Sequence, residues 1–187
     1  MNKNKERSEA TRRKILDAFY ELYKENGMKT TIGAISKKAG INRSTIYEHF
    51  VDIYDILDSY ENELIKNIKS RFAQAMDSQF IIDFMDSLPI RLDILDEYED
   101  NVFFLLSDKG DPTFRAKFRS AYISVVAEFT DISVNIPNFD YVMEFAFSAV
   151  IGMFERWYSL GKPIAPQEFM MMAQNLVING IAGQTNI

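Results

Sequence analysis

The chain has no cysteine and a single histidine, His49, in 187 residues. Without Cys there is no disulfide framework and no thiolate zinc site, and one His assembles neither a His-based metal centre nor a Ser-His relay. Glycine and proline are sparse, at 8 and 5, which leaves few places where a helix has to stop. No apolar run approaches the length of about 18 residues that a membrane span needs, and no signal-peptide core is present. A soluble, cytoplasmic protein with no membrane partner is expected. The phosphate-cradling patterns G-x-x-x-x-G-K-[ST] and G-x-G-x-x-G are also missing. Paired carboxylates such as Asp96 with Glu97, or Glu99 with Asp100, lack an apolar pocket signature and read as a solvated face. An enzyme is therefore not expected, and neither is a metal or another cofactor.

What the chain does have is an uneven charge. The formal net charge is −6, yet residues 1–50 carry 11 Lys and Arg against 6 Asp and Glu, while the rest carries 10 against 21. A basic module of +5 on an acidic body of −11 suits a protein that touches phosphates at one end and repels them elsewhere. Within that module, residues 30–50 read TTIGAISKKAGINRSTIYEHF. Thr31 is placed to cap a helix, because its hydroxyl can accept from an opening amide. Ile32, Ile35 and Ala39 share one face of that helix, and Lys37 and Lys38 point the other way. Gly40 supplies a left-handed stop with apolar Ile41 behind it, and small Ser36 allows close approach of the next helix. Asn42 is placed as the cap of the second helix. Ile46 and Phe50 give that helix its inner face, leaving Arg43, Ser44, Thr45, Tyr47 and His49 nearer the surface.

Two short helices joined through a Gly turn fit an ordinary helical hairpin, and equally the helix-turn-helix that lays its second helix in a major groove. The order TT, AISKKAG, a polar residue and T-I-Y-E-H-F resembles the TetR family of bacterial transcription regulators, whose corresponding run is close to TT-x-x-x-I-A-x-x-A-G-V-S-x-x-T-L-Y-x-H-F. The likeness is specific over about residues 10–57 and loose beyond. It implies double-stranded DNA as a partner, with Asn42 and Arg43 opening the recognition helix and Thr45 and Tyr47 meeting bases or phosphates. Ser44 and His49 share that helix, and Thr31 and Lys37 would hold the backbone. One position departs from the family. Where relatives show F-x-x-K-E-E-L, this chain has Phe50, Val51, Asp52, Ile53, Tyr54, Asp55 and Ile56, so Ile53 replaces a Lys that many relatives aim at a phosphate.

Around this core the chain reads as helices throughout. A polar, basic start is expected to be disordered, and a first helix from near Ser8 or Thr11 carries Ile15, Phe19, Leu22 and Tyr23 inward, ending at Gly27 with Met28 as its apolar follower. Asp52 caps a long helix reaching about Met76, unbroken by Gly or Pro, that acts as a lever between the two parts. A short apolar segment spans residues 78–86. A helix from Ser87 and Pro89 reaches about Tyr98, a further apolar stretch runs from Asn101 to Ser107, DKGDP breaks the chain, and a helix follows from Pro112. The expected fold is all-α: a three-helix DNA-binding domain over residues 1–51 and a helical ligand-binding and dimerisation domain over 52–187, about nine helices in all.

The helix Phe139–Leu160 has only Asp140, Glu144, Glu155 and Arg156 as charges, so it needs burial on two sides. Gly161, Lys162 and Pro163 form a turn, and Pro166 opens a last helix. Two such helices from each of two chains make the four-helix dimer interface usual in the family, here through Phe145, Ala149, Met153, Trp157, Phe169, Ala173 and Leu176. The run G-M-F-E-R-W-Y-S-L-G-K-P-I-A-P-Q-E-F resembles the Firmicutes-type C-terminal domain. Twenty of the 25 aromatic residues lie beyond residue 50. Most are core, but relatives keep an apolar cavity for an effector, and Phe84, Leu88, Phe103, Phe118, Tyr122 and Phe154 are its candidates for an apolar or aromatic small molecule. The competing class is a helical co-regulator that works through a protein partner without touching DNA.

Overall fold

The computed structural model describes residues 3–75, 88–129 and 138–182. Among them are eight α-helices: α1 (Lys3–Asn26), α2 (Ile32–Ala39), α3 (Arg43–His49), α4 (Ile53–Ala75), α5 (Leu88–Leu106), α6 (Phe114–Phe129), α7 (Phe139–Ser159) and α8 (Pro166–Ala182). The protein is all-α. None of these helices is long and apolar enough to cross a membrane. The expected segment 78–86 lies outside the described residues. The chain forms two compact units, residues 1–66 with 107–110, and residues 67–106 with 111–187.

In the first unit, α1 packs on α2 and α2 on α3. Its core is the apolar stripe that the helical period brings together: Ile15, Phe19 and Tyr23 from α1, Ile35 from α2, Ile46 from α3 and Ile56 from α4 are all under 2% exposed. Leu22, expected inside, is half-buried, and Leu16, Ala18 and Tyr20 join the buried side instead. α1 also begins earlier than expected. Residues 3–10 are helical although every one of their side chains is exposed, because no Gly or Pro interrupts the run and Lys, Glu, Arg and Ala extend a helix at little conformational expense. Gly27 stops α1 at φ 56, but Met28 does not fold back, remaining 41% exposed. Thr30 closes the turn in its place: it is buried, its hydroxyl donates to the Gly27 carbonyl at 2.8 Å, and its N–H reaches the same oxygen at 3.1 Å.

The second unit is built by contacts of α5 with α6 and α8, α6 with α7, and α7 with α8. α5 is one helix where two segments were expected, since residues 98–101 contain nothing that breaks a helix. Ion pairs of Arg115 with Glu155 and Arg119 with Glu144 tie α6 to α7. Two of the few charges on α7 are thus turned toward a neighbouring helix. The α7–α8 turn takes Gly161 and Lys162 through left-handed backbone, at φ 74 and 58. It is fixed from several directions: the Trp157 indole N–H donates to the Ile164 carbonyl at 2.9 Å, and Lys162 pairs with Glu99. Beside them the Tyr158 hydroxyl donates to Asp100 at 2.7 Å, and that bond pushes the phenol up to about 12.

Candidate nucleic-acid interface

The α2–α3 pair is positioned by short-range chemistry. Thr31 sits at the N-cap of α2 with extended backbone, and its Oγ1 accepts from the Ala34 N–H at 3.2 Å. Gly40 ends α2 in the left-handed region, φ 66 and ψ 33, with its N–H directed to the Ser36 carbonyl. The Ile41 N–H reaches that same carbonyl at 3.1 Å, and the Ser36 hydroxyl donates to the Ile41 carbonyl at 2.7 Å. Ser36 therefore does more than leave room; it stitches both strands of the turn. Asn42 occupies the N-cap position of α3 but its side chain makes no capping bond. Its contribution to the helix is the main-chain carbonyl, which accepts from the Ile46 N–H at 3.1 Å.

α3 then divides its faces. Ile46 and Phe50 are buried at 0% and 3% exposure, whereas Arg43, Ser44 and Glu48 are exposed and Tyr47 is 58% exposed. Arg43 and Tyr47 are one turn apart, so they share a side of the helix. Thr45 and His49 are half-buried, His49 lying beside the Phe50 ring. On α2, Lys37 and Lys38 are both exposed. Lys38 is drawn to Glu21 of α1, and the hydrogen bond between them raises the ammonium above its usual range.

The start of α4 is acidic. Asp52 Oδ1 accepts from the Tyr54 and Asp55 N–H groups at 2.8 and 2.9 Å, and Asp55 Oδ2 accepts from the Val51 N–H at 2.8 Å. Carboxylates thus occupy the opening amides of this helix, next to a half-buried Ile53 where relatives have Lys, with Val51 and Tyr54 exposed on either side. Sequence reasoning anticipated the Asp52 cap but not the second carboxylate. It also missed Arg12, whose guanidinium lies 4.4 Å from the centre of the Phe50 ring, and the 4.5 Å stack of Tyr20 on Tyr60. Glu61 of α4 is fully buried. The Asp55 bond is local, an acidic residue three positions after the Asp52 cap that reaches back to the chain ahead of it, whereas the Arg12 and Tyr20 meetings depend on where another helix lies and leave no signal in an i, i+4 pattern.

In the second unit, the candidate effector residues fall into two ring clusters. Phe103 meets Phe154 at 5.8 Å, and Phe154 meets Phe169 at 4.7 Å. Phe118 and Tyr122 both contact Phe147, at 6.4 and 5.6 Å. Burial raises the Tyr122 phenol above its usual range. Leu88 opens α5, and Phe84 lies outside the described residues. The residues proposed for a dimer interface divide as well. Trp157, Phe169 and Ala173 are 2–4% exposed and fill the protomer's own core. Phe145 and Leu176 are 51% and 57% exposed, and Ala149 and Met153 are half-buried.

Comparison with known proteins bears on both units. The family described as bacterial regulatory proteins, tetR family, matches residues 15–60, and that described as transcriptional regulator C-terminal region matches residues 86–179. Over 78 residues the chain is 33% identical to the HTH-type transcriptional regulator AcrR of Shigella flexneri, a match that takes in 37% of this chain and 36% of that protein. The chain spans about a third of the length of that curated relative. Among solved structures, a TetR transcriptional regulator from Streptococcus agalactiae 2603V has a TM-score of 0.68 at 23% identity, covering 93% of this chain and 97% of that one. SmeT, the repressor of the Stenotrophomonas maltophilia multidrug efflux pump SmeDEF, has a TM-score of 0.61 at 14% identity, covering 92% and 91%. NalD, the secondary repressor of the MexAB-OprM multidrug efflux pump in Pseudomonas aeruginosa, has 0.56 at 17%, covering 92% and 97%. These structural likenesses concern the fold. With family matches that take in the helix pair and most of the second unit, the chain belongs to the TetR family of bacterial transcription regulators.

Proposed function

We propose that this protein is a cytoplasmic repressor that binds a palindromic operator as a homodimer and leaves it when an apolar or aromatic small molecule enters the helical body. The observation that carries the DNA reading is the division of α3: Ile46 and Phe50 are buried, while Arg43, Ser44 and Tyr47 stand clear of the unit's core. Thr31, Lys37, Asn42, Thr45 and His49 complete the surface in this reading. Arg43 and Tyr47 meet base edges, and Lys37 meets the phosphate chain. Exposed Phe145 and Leu176, with Ala149 and Met153, support pairing through α7 and α8. The two ring clusters support an apolar effector, with the Tyr122 hydroxyl as a polar handle. Two relatives in fold are named as repressors of multidrug efflux pumps, in keeping with a repressor here.

The experiment is a titration of the full-length protein against duplexes from its own upstream region and against scrambled controls, with and without candidate effectors. Two protomers per operator and a clear preference over scrambled DNA are expected. An effector must bind free protein more tightly than operator-bound protein, and operator must weaken effector by the same factor, typically about 5- to 150-fold. A folded dimer that ignored every upstream duplex would favour the co-regulator reading. A ligand with equal affinity for both states would not be the effector.

A further inference from the structure

Gly33 is the second residue of α2, two positions past the Thr31 cap. Its backbone does not lie in the left-handed region, so conformation alone does not call for glycine there. Glycine gives up more conformational freedom in a helix than alanine does, so its presence here has another cause. The surrounding space supplies a reason. A β-carbon built on Gly33 would lie 2.6 Å from Nη2, 3.2 Å from Cζ and 3.5 Å from Nε of Arg43. Three atoms of the guanidinium group therefore rest against the one face of α2 that a side chain would fill. Arg43 is the first residue of α3, and its side chain is bent back across the helix junction instead of extending freely from the recognition helix.

We propose that Gly33 is a specificity-setting position: by withholding a β-carbon it seats the Arg43 guanidinium against α2, and so fixes which part of a duplex that group can reach. This rests on the reading that α3 contacts DNA. The physical argument is one of pre-organisation. An arginine side chain has many rotamers, and a planar fork held in one of them loses less freedom when it binds than one that is free. A methyl at position 33 would displace the guanidinium. Because the displaced atoms are the end of a flexible side chain, the fold should accommodate the change, and α2 should gain helix propensity.

The test uses the full-length protein and a randomised duplex library. Gly33→Ala is expected to remain a folded dimer, with thermal stability equal to or above wild type. It should alter base preference at the same operator position that Arg43→Ala alters, with a loss of about 5- to 150-fold at the wild-type sequence, the range spanned by one good base-edge contact. In the Arg43→Ala background, Gly33→Ala should have no further effect. Equal weakening in both backgrounds, or unchanged selection by Gly33→Ala while Arg43→Ala changes it, would overturn this inference and leave the α3 reading intact. Unchanged selection by Arg43→Ala would remove both. A measurement on the unaltered protein stands independently of how any variant folds: nuclear Overhauser contacts between the Arg43 Nε–H and the Gly33 α-protons are expected, and their absence would exclude the seat.

Discussion

Gly40 controls the angle at which α3 leaves α2, and the structure isolates the reason it is glycine. At φ 66 and ψ 33 the residue is left-handed, and an added β-carbon meets no atom within 4 Å. A Gly40→Ala change therefore introduces no collision, and its expense is purely conformational, about 1–2 kcal/mol for a non-glycine residue in that region. The Gly40 and Ile41 N–H groups both point at the Ser36 carbonyl, the latter at 3.1 Å. The turn is held by several bonds and should strain before it rearranges. A loss of about 1–2 kcal/mol raises the opening equilibrium by a factor of roughly 5–30. Hydrogen exchange of peptides covering α2 and α3, at fixed protein concentration, reads that factor directly. Gly40→Asn should lose less, because Asn tolerates left-handed backbone better than Ala. Operator affinity should change little, since a unit that keeps most of its stability remains almost entirely folded. Unchanged protection in Gly40→Ala would mean the left-handed turn is not what holds the pair. A loss well beyond about 3 kcal/mol would mean that the added methyl meets a collision.

Two further outcomes follow from side-chain exposure. Lys37→Ala should weaken operator and scrambled DNA alike and flatten the slope of log affinity against log salt by about 0.9 for each phosphate that is no longer neutralised; salt titrations of both duplexes check this, and sequence-selective weakening would argue against a phosphate role. Leu176→Arg places a cation on a side chain already 57% exposed, so the protomer should fold normally, whereas Ala149→Arg acts at a half-buried position. Both are expected to turn a dimer into monomer in sedimentation, and a Leu176→Arg variant that stayed fully dimeric would move the interface off this face.

The amino-acid sequence by itself determined those parts of the protein whose causes lie within a few residues. The Thr31 cap, the left-handed Gly40, the Asp52 cap and the burial of Ile46 and Phe50 each follow from a hydroxyl, a missing β-carbon, a carboxylate or a 3.6-residue period, and all appear where the sequence places them. Tertiary structure decided what local chemistry leaves degenerate. α7 is apolar around most of its circumference, so nothing in its own pattern says that Trp157 turns inward while Phe145 remains 51% exposed; contacts from α6 and α8 choose the side. Met28 carries a signal for packing back on α1 and remains 41% exposed. Asn42 has the chemistry of a cap without the bond. Arg12 over Phe50 and Arg43 against Gly33 join residues 38 and 10 positions apart, and such meetings exist only once one helix has been laid against another. Hydrogen bonds and backbone preferences act over a few ångströms along the chain. The choice among equally apolar faces is made by packing, which acts across it.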